Sequence, residues 1–167
     1  MIRIMEYGVE SDDRIFSRST SSMDVSDVVS VILKSVKERG DEALREYTKR
    51  FDDAEIDSIE VPKSEIEAAA ESMDSSFMSV LYKAAENIRN YHSRQKRESF
   101  IVSEKDGVVL GQKIVPVSVA GIYVPGGTAA YPSTVLMDTI PAKIAGVSQV
   151  VMVSPPGKDG KLSKEVL

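Results

Sequence analysis

Residues 121–135 read GIYVPGGTAAYPSTV, a strand-like run that breaks at Pro-Gly-Gly and meets Ser-Thr where a helix should begin. Such a junction sets main-chain N–H groups, free of side-chain bulk, beside the positive end of a helix, which suits a phosphate or a dinucleotide. Gly126 and Gly127 would let main chain approach a ligand closely, and Ser133 or Thr134 would open the helix. Tyr123 would stand at the carboxyl end of its strand, where ligands of open α/β sheets lie. Two nucleotide patterns fail. The dinucleotide fingerprint G-x-G-x-x-G is absent, and Gly121-x-x-x-x-Gly126 is followed by Gly127-Thr128, so glycine stands where an NTPase needs its phosphate-binding lysine. The same residues also fit a plain tight turn, with Tyr123 a half-buried strand-end aromatic and Ser133 an N-cap. Taken alone, they leave binding and packing equally open.

Other catalytic chemistry has little to work with. The 167 residues hold one histidine and no cysteine, which excludes disulfides, thiolate catalysis and thiolate metal sites. A metal site from this chain would combine one imidazole with carboxylates, a poor set for zinc. A Ser-His-Asp arrangement would have to run through His92. That residue follows Tyr91 near a predicted helix end, among Arg89, Arg94, Lys96 and Arg97, where cations suit the helix dipole, and no acid is placed in sequence to orient it. A structural end residue is the better reading. With 42% apolar and 28% charged residues the chain can bury a core, and its net charge of −5 argues against broad attraction to nucleic acid or an anionic membrane. No apolar run approaches the roughly 20 residues of a bilayer span, and the N-terminus turns acidic where a signal peptide would be apolar, so a cytoplasmic protein is expected.

The elements that must position these residues follow from periodicity. Residues 1–22 show little pattern and end in a polar run, read as an arm or linker. Val25, Val28, Val29, Ile32, Leu33 and Val36 form one helical stripe, capped by Asp24 and closed by Gly40. A second helix follows, with Asp41 as cap and Leu44, Tyr47 and Phe51 on one face. IDSIEVP (56–62) alternates imperfectly and predicts a short edge strand. Ser64 and Glu67 form a capping box before a helix faced by Ile66, Ala69, Ala70 and Met73. Asp74 or Ser75 opens the longest helix, with Phe77, Val80, Leu81, Ala84, Ile88 and Tyr91 as its stripe. Beyond residue 99 two β-branched runs flank Asp106-Gly107, a hairpin signal. VSVAGIYV, the glycine loop, a helix carrying Pro141 and ending at Gly146, and the apolar run SQVVMVSPP then make one βαβ unit over 117–154. Pro141 should kink or shift its helix near Ile140, and the last strand reads as fully buried. A further helix is expected to start within GKDGKLSKEVL.

Three stretches carry a family resemblance: ERGDEALREYTKRFD (38–52), AAENIRNYHSRQ (84–95) and GIYVPGGTAAYPSTVLMDTIPAKIAGVSQVVMVSPP (121–156). In this order and spacing, from about residue 25 onward, the chain resembles the N-terminal part of histidinol dehydrogenase. The resemblance implies a zinc enzyme that oxidises L-histidinol to L-histidine through histidinal with two NAD⁺, acting as a cytoplasmic homodimer. Its main domains are Rossmann-like without the usual fingerprint. It implies that Tyr123 contacts NAD, with Pro125, Gly126 and Gly127 completing the cofactor loop, and that Ser133 lies on the substrate side. His92 matches a family histidine that is neither a zinc ligand nor a catalytic base. The family's Gln, His and Asp zinc ligands and its Glu-His acid–base pair lie beyond the matching region, so no catalytic or metal residue is carried over.

The expected fold class is therefore α/β: N-terminal helices plus an incomplete Rossmann-like parallel or mixed sheet in α/β/α layers, part of a larger multi-domain fold. The expected organisation is an arm (1–22), a helical layer with first strands (23–116) and the start of an NAD-side domain (117–167). The chain alone is expected to be inactive, with homo-oligomerisation expected and nucleic acid or membrane partners not. The alternatives are a stand-alone, non-catalytic interaction or dimerisation module, and a small nucleotide-binding protein.

Overall fold

A computed structural model describes residues 4–16, 24–126 and 129–167. The polar run 17–23, read as a linker, lies outside the described residues. The chain divides into two compact units, Met1–Gly40 and Asp41–Leu167.

In the first unit a short helix α1 (Asp12–Phe16) places Phe16 edge-on to Tyr7, with ring centroids 6.3 Å apart. Helix α2 (Ser26–Arg39) has Val25 rather than Asp24 at its N-cap position, with no side-chain cap bond there; Asp24 stands one residue further out and accepts from the Ser26 N–H at 3.0 Å. It ends at Gly40, whose φ of 58° is one that glycine adopts without steric cost, and whose N–H reaches the Val36 carbonyl at 2.8 Å. The expected stripe is there. Only Ile32 and Val36 of it are half-buried, whereas Val28 and Leu33 stay exposed.

The second unit begins with α3 (Asp41–Asp52), in which Asp41 is the first helical residue rather than a cap. Tyr47 and Phe51 stack one turn apart at 5.8 Å. The strand expected over 56–61 is not formed. The Ser58 hydroxyl donates to the Glu60 carbonyl at 2.8 Å and the Arg45 guanidinium to the Asp57 carbonyl at 3.2 Å, so local bonds occupy carbonyls that a ladder would use. Helix α4 (Lys63–Ser72) starts one residue before the expected box. Pro62, extended at ψ 143°, stands at the N-cap, its carbonyl accepting from Glu65 at 2.9 Å. That puts Ser64 inside the first turn, so the Ser64–Glu67 box is not made, and Glu67 pairs with Lys63 at 3.3 Å instead.

Helix α5 (Ser75–His92) has its cap as expected: the Asp74 carboxylate accepts from Ser76 N at 2.9 Å and Phe77 N at 3.1 Å. A single 3₁₀ turn (Ser93–Gln95) ends it. Strands β1 (Phe100–Lys105) and β2 (Val108–Gln112) form the antiparallel hairpin, with Lys105 opposite Val108 and Gly107 turning at φ 77°. Strand β3 (Val119–Tyr123), helix α6 (Pro132–Ala145) and strand β4 (Gln149–Val153) form the βαβ unit, and β3 pairs with β4 in parallel, Val119 opposite Gln149 through Tyr123 opposite Val153. Helix α6 runs through Pro141 without a break and ends at left-handed Gly146 (φ 94°). It packs on α5 and on β3.

The core gathers here. Val124 and Ala43 are fully buried, with Ile140, Val147, Ala54, Ala69 and Val166 close to it. Strand β4 is covered on one face only: Val150 and Met152 are half-buried while Val151 and Val153 are exposed, which corrects the expectation of a fully buried strand. The helix expected near the end is a single turn closed by the Val166 and Leu167 N–H groups on the Ser163 carbonyl.

Candidate functional site

Parallel pairing sets the carboxyl ends of β3 and β4 side by side, and the chain leaves both at the same edge. Val124 extends the ladder by one bond, its N–H on the Val153 carbonyl at 2.9 Å, and then Pro125 and Gly126 turn away. Gly126 is there for want of room. A Cβ on it would lie 2.7 Å from the Pro155 carbonyl oxygen and 2.9 Å from the Ser154 hydroxyl. Gly126 is thus seated on the exit of β4, and close approach of its own chain accounts for this glycine. Gly127 and Thr128 lie outside the described residues.

Between this loop and the final turns lies a depression of about 340 Å³. Gly126, Ala129, Ala130, Ser154 and Pro155 line it together with the polar residues Asp159, Lys161, Ser163 and Glu165. The segment 157–161 is a tight turn, with Gly157 N–H on the Lys161 carbonyl at 2.8 Å and Lys161 N–H on the Asp159 carboxylate at 3.1 Å. The Ser163 hydroxyl donates to the Glu165 carboxylate. That bond, with a backbone N–H, holds the Glu165 carboxyl below the ordinary range.

Among the described residues of the expected site, Gly126 lines this depression while Tyr123, Pro125 and Ser133 do not. Tyr123 ends β3 on the open face of the sheet and is 61% exposed, and Pro125 is exposed beside it. Ser133 is the second residue of α6 rather than its N-cap. The cap position is Tyr131, which makes no side-chain cap bond, and Pro132 opens the helix because its missing N–H costs nothing there. Ser133 is exposed in the first turn. The polar residues 154–165 were not singled out from sequence. Their signal was a Gly- and Lys-rich exit from a parallel strand.

His92 ends α5 with its Nδ1 2.6 Å from Gln95 Oε1 and its ring edge-on to Tyr91 at 5.1 Å. Its partners are an amide and an aromatic, which agrees with a structural end residue. Among the described residues no group of three or more His, Asp or Glu is placed to hold a metal ion, so these residues do not fit a zinc site. At about 340 Å³ the depression stands at the lower end of the range for small-ligand pockets, which begin at roughly 300 Å³.

The sequence model of the histidinol dehydrogenase family matches residues 16–167. The chain belongs to that family. It is 55% identical over 136 residues to histidinol dehydrogenase of Bacillus subtilis, covering 81% of this chain and 32% of that protein. Against the Clostridium acetobutylicum histidinol dehydrogenase it is 41% identical over 172 residues, covering all of this chain and 40% of that protein. The crystal structure of histidinol dehydrogenase from Elizabethkingia anophelis superposes with a TM-score of 0.83 at 33% identity, over 89% of this chain and 34% of that one. The chain thus spans about a third of the length of such relatives. Family membership and the shared α/β fold agree with the resemblance read from the three motifs.

Proposed function

We propose that this chain supplies the N-terminal, cofactor-side part of a histidinol dehydrogenase, with residues 117–167 as the start of its NAD-binding domain. The observation that carries the reading is the β3–α6–β4 unit, whose glycine loop is pinned on the exit of β4 within a chain of this family. Tyr123, Pro125, Gly126 and Gly127 would face the cofactor and Ser133 the substrate side. Bound NAD would accept the hydride in oxidation of L-histidinol through histidinal to L-histidine. The residues of this chain orient and shield it. Zinc belongs to the reading at the level of the family alone, and no step here runs through it, because the described residues do not fit a zinc site. A cytoplasmic homodimer is part of the same reading.

Alcohol oxidation needs a base and a group that polarises the carbinol oxygen, and this reading gives neither role to His92, whose Nδ1 lies 2.6 Å from Gln95 Oε1. Histidinol-dependent NADH formation with added zinc tests the reading. The chain alone should be silent. Mixed with the C-terminal two-thirds of the Bacillus subtilis relative, it should turn over, and Tyr123→Ala should raise KM for NAD about tenfold. Activity from the chain alone would return His92 and the carboxylates to the mechanism. No activity on mixing, with a stable monodisperse chain, would favour the stand-alone interaction module, for which the exposed β1–β2 hairpin is the motivating surface.

A further inference from the structure

The chain contains two Asp-Gly pairs, Asp106-Gly107 and Asp159-Gly160, each preceded by a lysine, and the fold treats them differently. In such a pair the glycine main-chain nitrogen can attack the aspartate side-chain carboxyl, because no Cβ on the glycine stands in its way. The reaction needs an accessible carboxyl, an unengaged glycine N–H and a backbone free to rotate. The second pair lacks that freedom. Asp159 accepts from the Lys161 N–H at 3.1 Å, and the Gly160 N–H donates to the Gly157 carbonyl at 2.9 Å. Gly160 is also fixed at φ 74°, where a Cβ would lie 2.5 Å from the Glu55 carbonyl oxygen. Asp106 and Gly107, by contrast, form the exposed tip of the β1–β2 hairpin between Lys105 and Val108. Among the described residues the Asp106 carboxylate has no hydrogen-bond or ion-pair partner, and no turn bond uses the Gly107 N–H. A Cβ on Gly107 would meet nothing within 4 Å. The ladder is irregular between Val102 and Lys105, so the pair Lys105–Val108 alone anchors the tip.

We propose that Asp106 is a site of spontaneous isomerisation, in which the Asp106-Gly107 turn passes through a succinimide to isoaspartate, while the fold protects Asp159. The Gly107 nitrogen bonds to the Asp106 side-chain carboxyl carbon, and one carboxyl oxygen leaves with two protons as water. A second water then opens the cyclic imide. Attack at the side-chain carbonyl restores aspartate. Attack at the main-chain carbonyl leaves the chain running through the side chain and frees a carboxylate where the main-chain carbonyl had been. No oxidant, reductant or cofactor enters. The isomer lengthens the main chain by one carbon at a two-residue turn, and hairpin register is set by the turn, so Lys105 no longer stands opposite Val108. The freed carboxylate is the group that an isoaspartyl methyltransferase esterifies with the methyl of S-adenosylmethionine, which makes the tip a repair substrate. This site is independent of the cofactor reading.

Ageing the 167-residue chain for weeks at neutral pH tests this, read by peptide mapping and by methyl transfer from labelled S-adenosylmethionine with an isoaspartyl methyltransferase. Isoaspartate should accumulate at 106 faster than at 159 by about tenfold or more, the scale of the two hydrogen bonds that must open at the second site. In concentrated urea the two sites should react alike, because each then presents the same Lys-Asp-Gly stretch to solvent. Asp106→Glu, whose longer side chain closes its ring far more slowly, should lose most of the methyl-accepting signal. Asp106→Asn keeps a turn-forming residue, expels ammonia in place of water, and should bring isoaspartate to position 106 sooner. Amide exchange over β1 and β2 should quicken with age in the unsubstituted chain and not in Asp106→Glu. Equal rates at 106 and 159 in the folded chain, a difference that persists in urea, or undiminished methylation of Asp106→Glu overturns the proposal. Unchanged exchange in a chain isomerised at 106 overturns its consequence for the hairpin.

Discussion

Asp74 shows how much one side chain decides locally. Its carboxylate takes two of the orphan N–H groups of α5 and also the Ser76 hydroxyl, while its own backbone stays extended at ψ 135°. The hydroxyl of Ser76 and the N–H of Phe77 hold the carboxyl below its ordinary value of 3.8. A depressed carboxyl stabilises the fold above the unfolded value, and that stabilisation fades as the pH drops through the lower folded value. Asp74→Ala should therefore lower the melting temperature by about 2–4 °C at neutral pH. Asp74→Asn should keep most of the cap yet lose the acid-side slope. Circular dichroism melts from about pH 3 to neutrality would check both. A slope unchanged in Asp74→Asn would mean that other carboxylates carry the acid response.

At the scale of elements, two glycines do what no other residue can. Gly160 turns at φ 74°, and a Cβ there would sit 2.5 Å from the Glu55 carbonyl oxygen; a Cβ on Gly126 would meet the Pro155 carbonyl at 2.7 Å. Gly121, mid-strand in β3, has nothing within 4 Å of that position. Gly126→Ala and Gly160→Ala should each cost about 1–3 kcal/mol in urea unfolding, and Gly121→Ala less than about 0.5 kcal/mol. Equal effects at all three would mean that Gly126 is not close-packed on the exit of β4, nor Gly160 on Glu55. The contrast also marks what could be read from residues in order. Helices α2 and α5, the hairpin and the βαβ unit each carry a local signal, a period, a cap or an Asp-Gly pair, and each formed where expected. The strand at 56–61 did not, because a strand needs a neighbour, and whether one arrives is a tertiary fact. Pro62 likewise overrode the Ser64 box by offering a fixed extended cap two residues sooner. The depression escaped notice for the same reason: Glu165 and Gly126 are remote in sequence and line one depression only in the folded chain.

For the whole molecule, what matters is which apolar surface stays uncovered. The hairpin is exposed on both faces, with Ile101 77% and Val109 69% exposed on one and Leu110 63% on the other. Val151 and Val153 add an open face on β4, above a groove of about 1030 Å³ that Leu44, Ile59 and Ile66 also line. So many exposed apolar side chains draw partners, and a chain with a net charge of only −5 has little repulsion to oppose it. The chain on its own should thus associate reversibly, its sedimentation coefficient rising with concentration. Ile101→Lys with Val109→Lys places two cations on one hairpin face and should move it towards monomer, while Val151→Lys tests the β4 face separately. If only the hairpin variant dissociates, that ribbon is the sticky surface, and mixing with the C-terminal part of a relative should protect it from limited proteolysis. If only Val151→Lys dissociates, association runs through the open face of the parallel sheet, and the same mixing should shield β4 and leave the hairpin accessible.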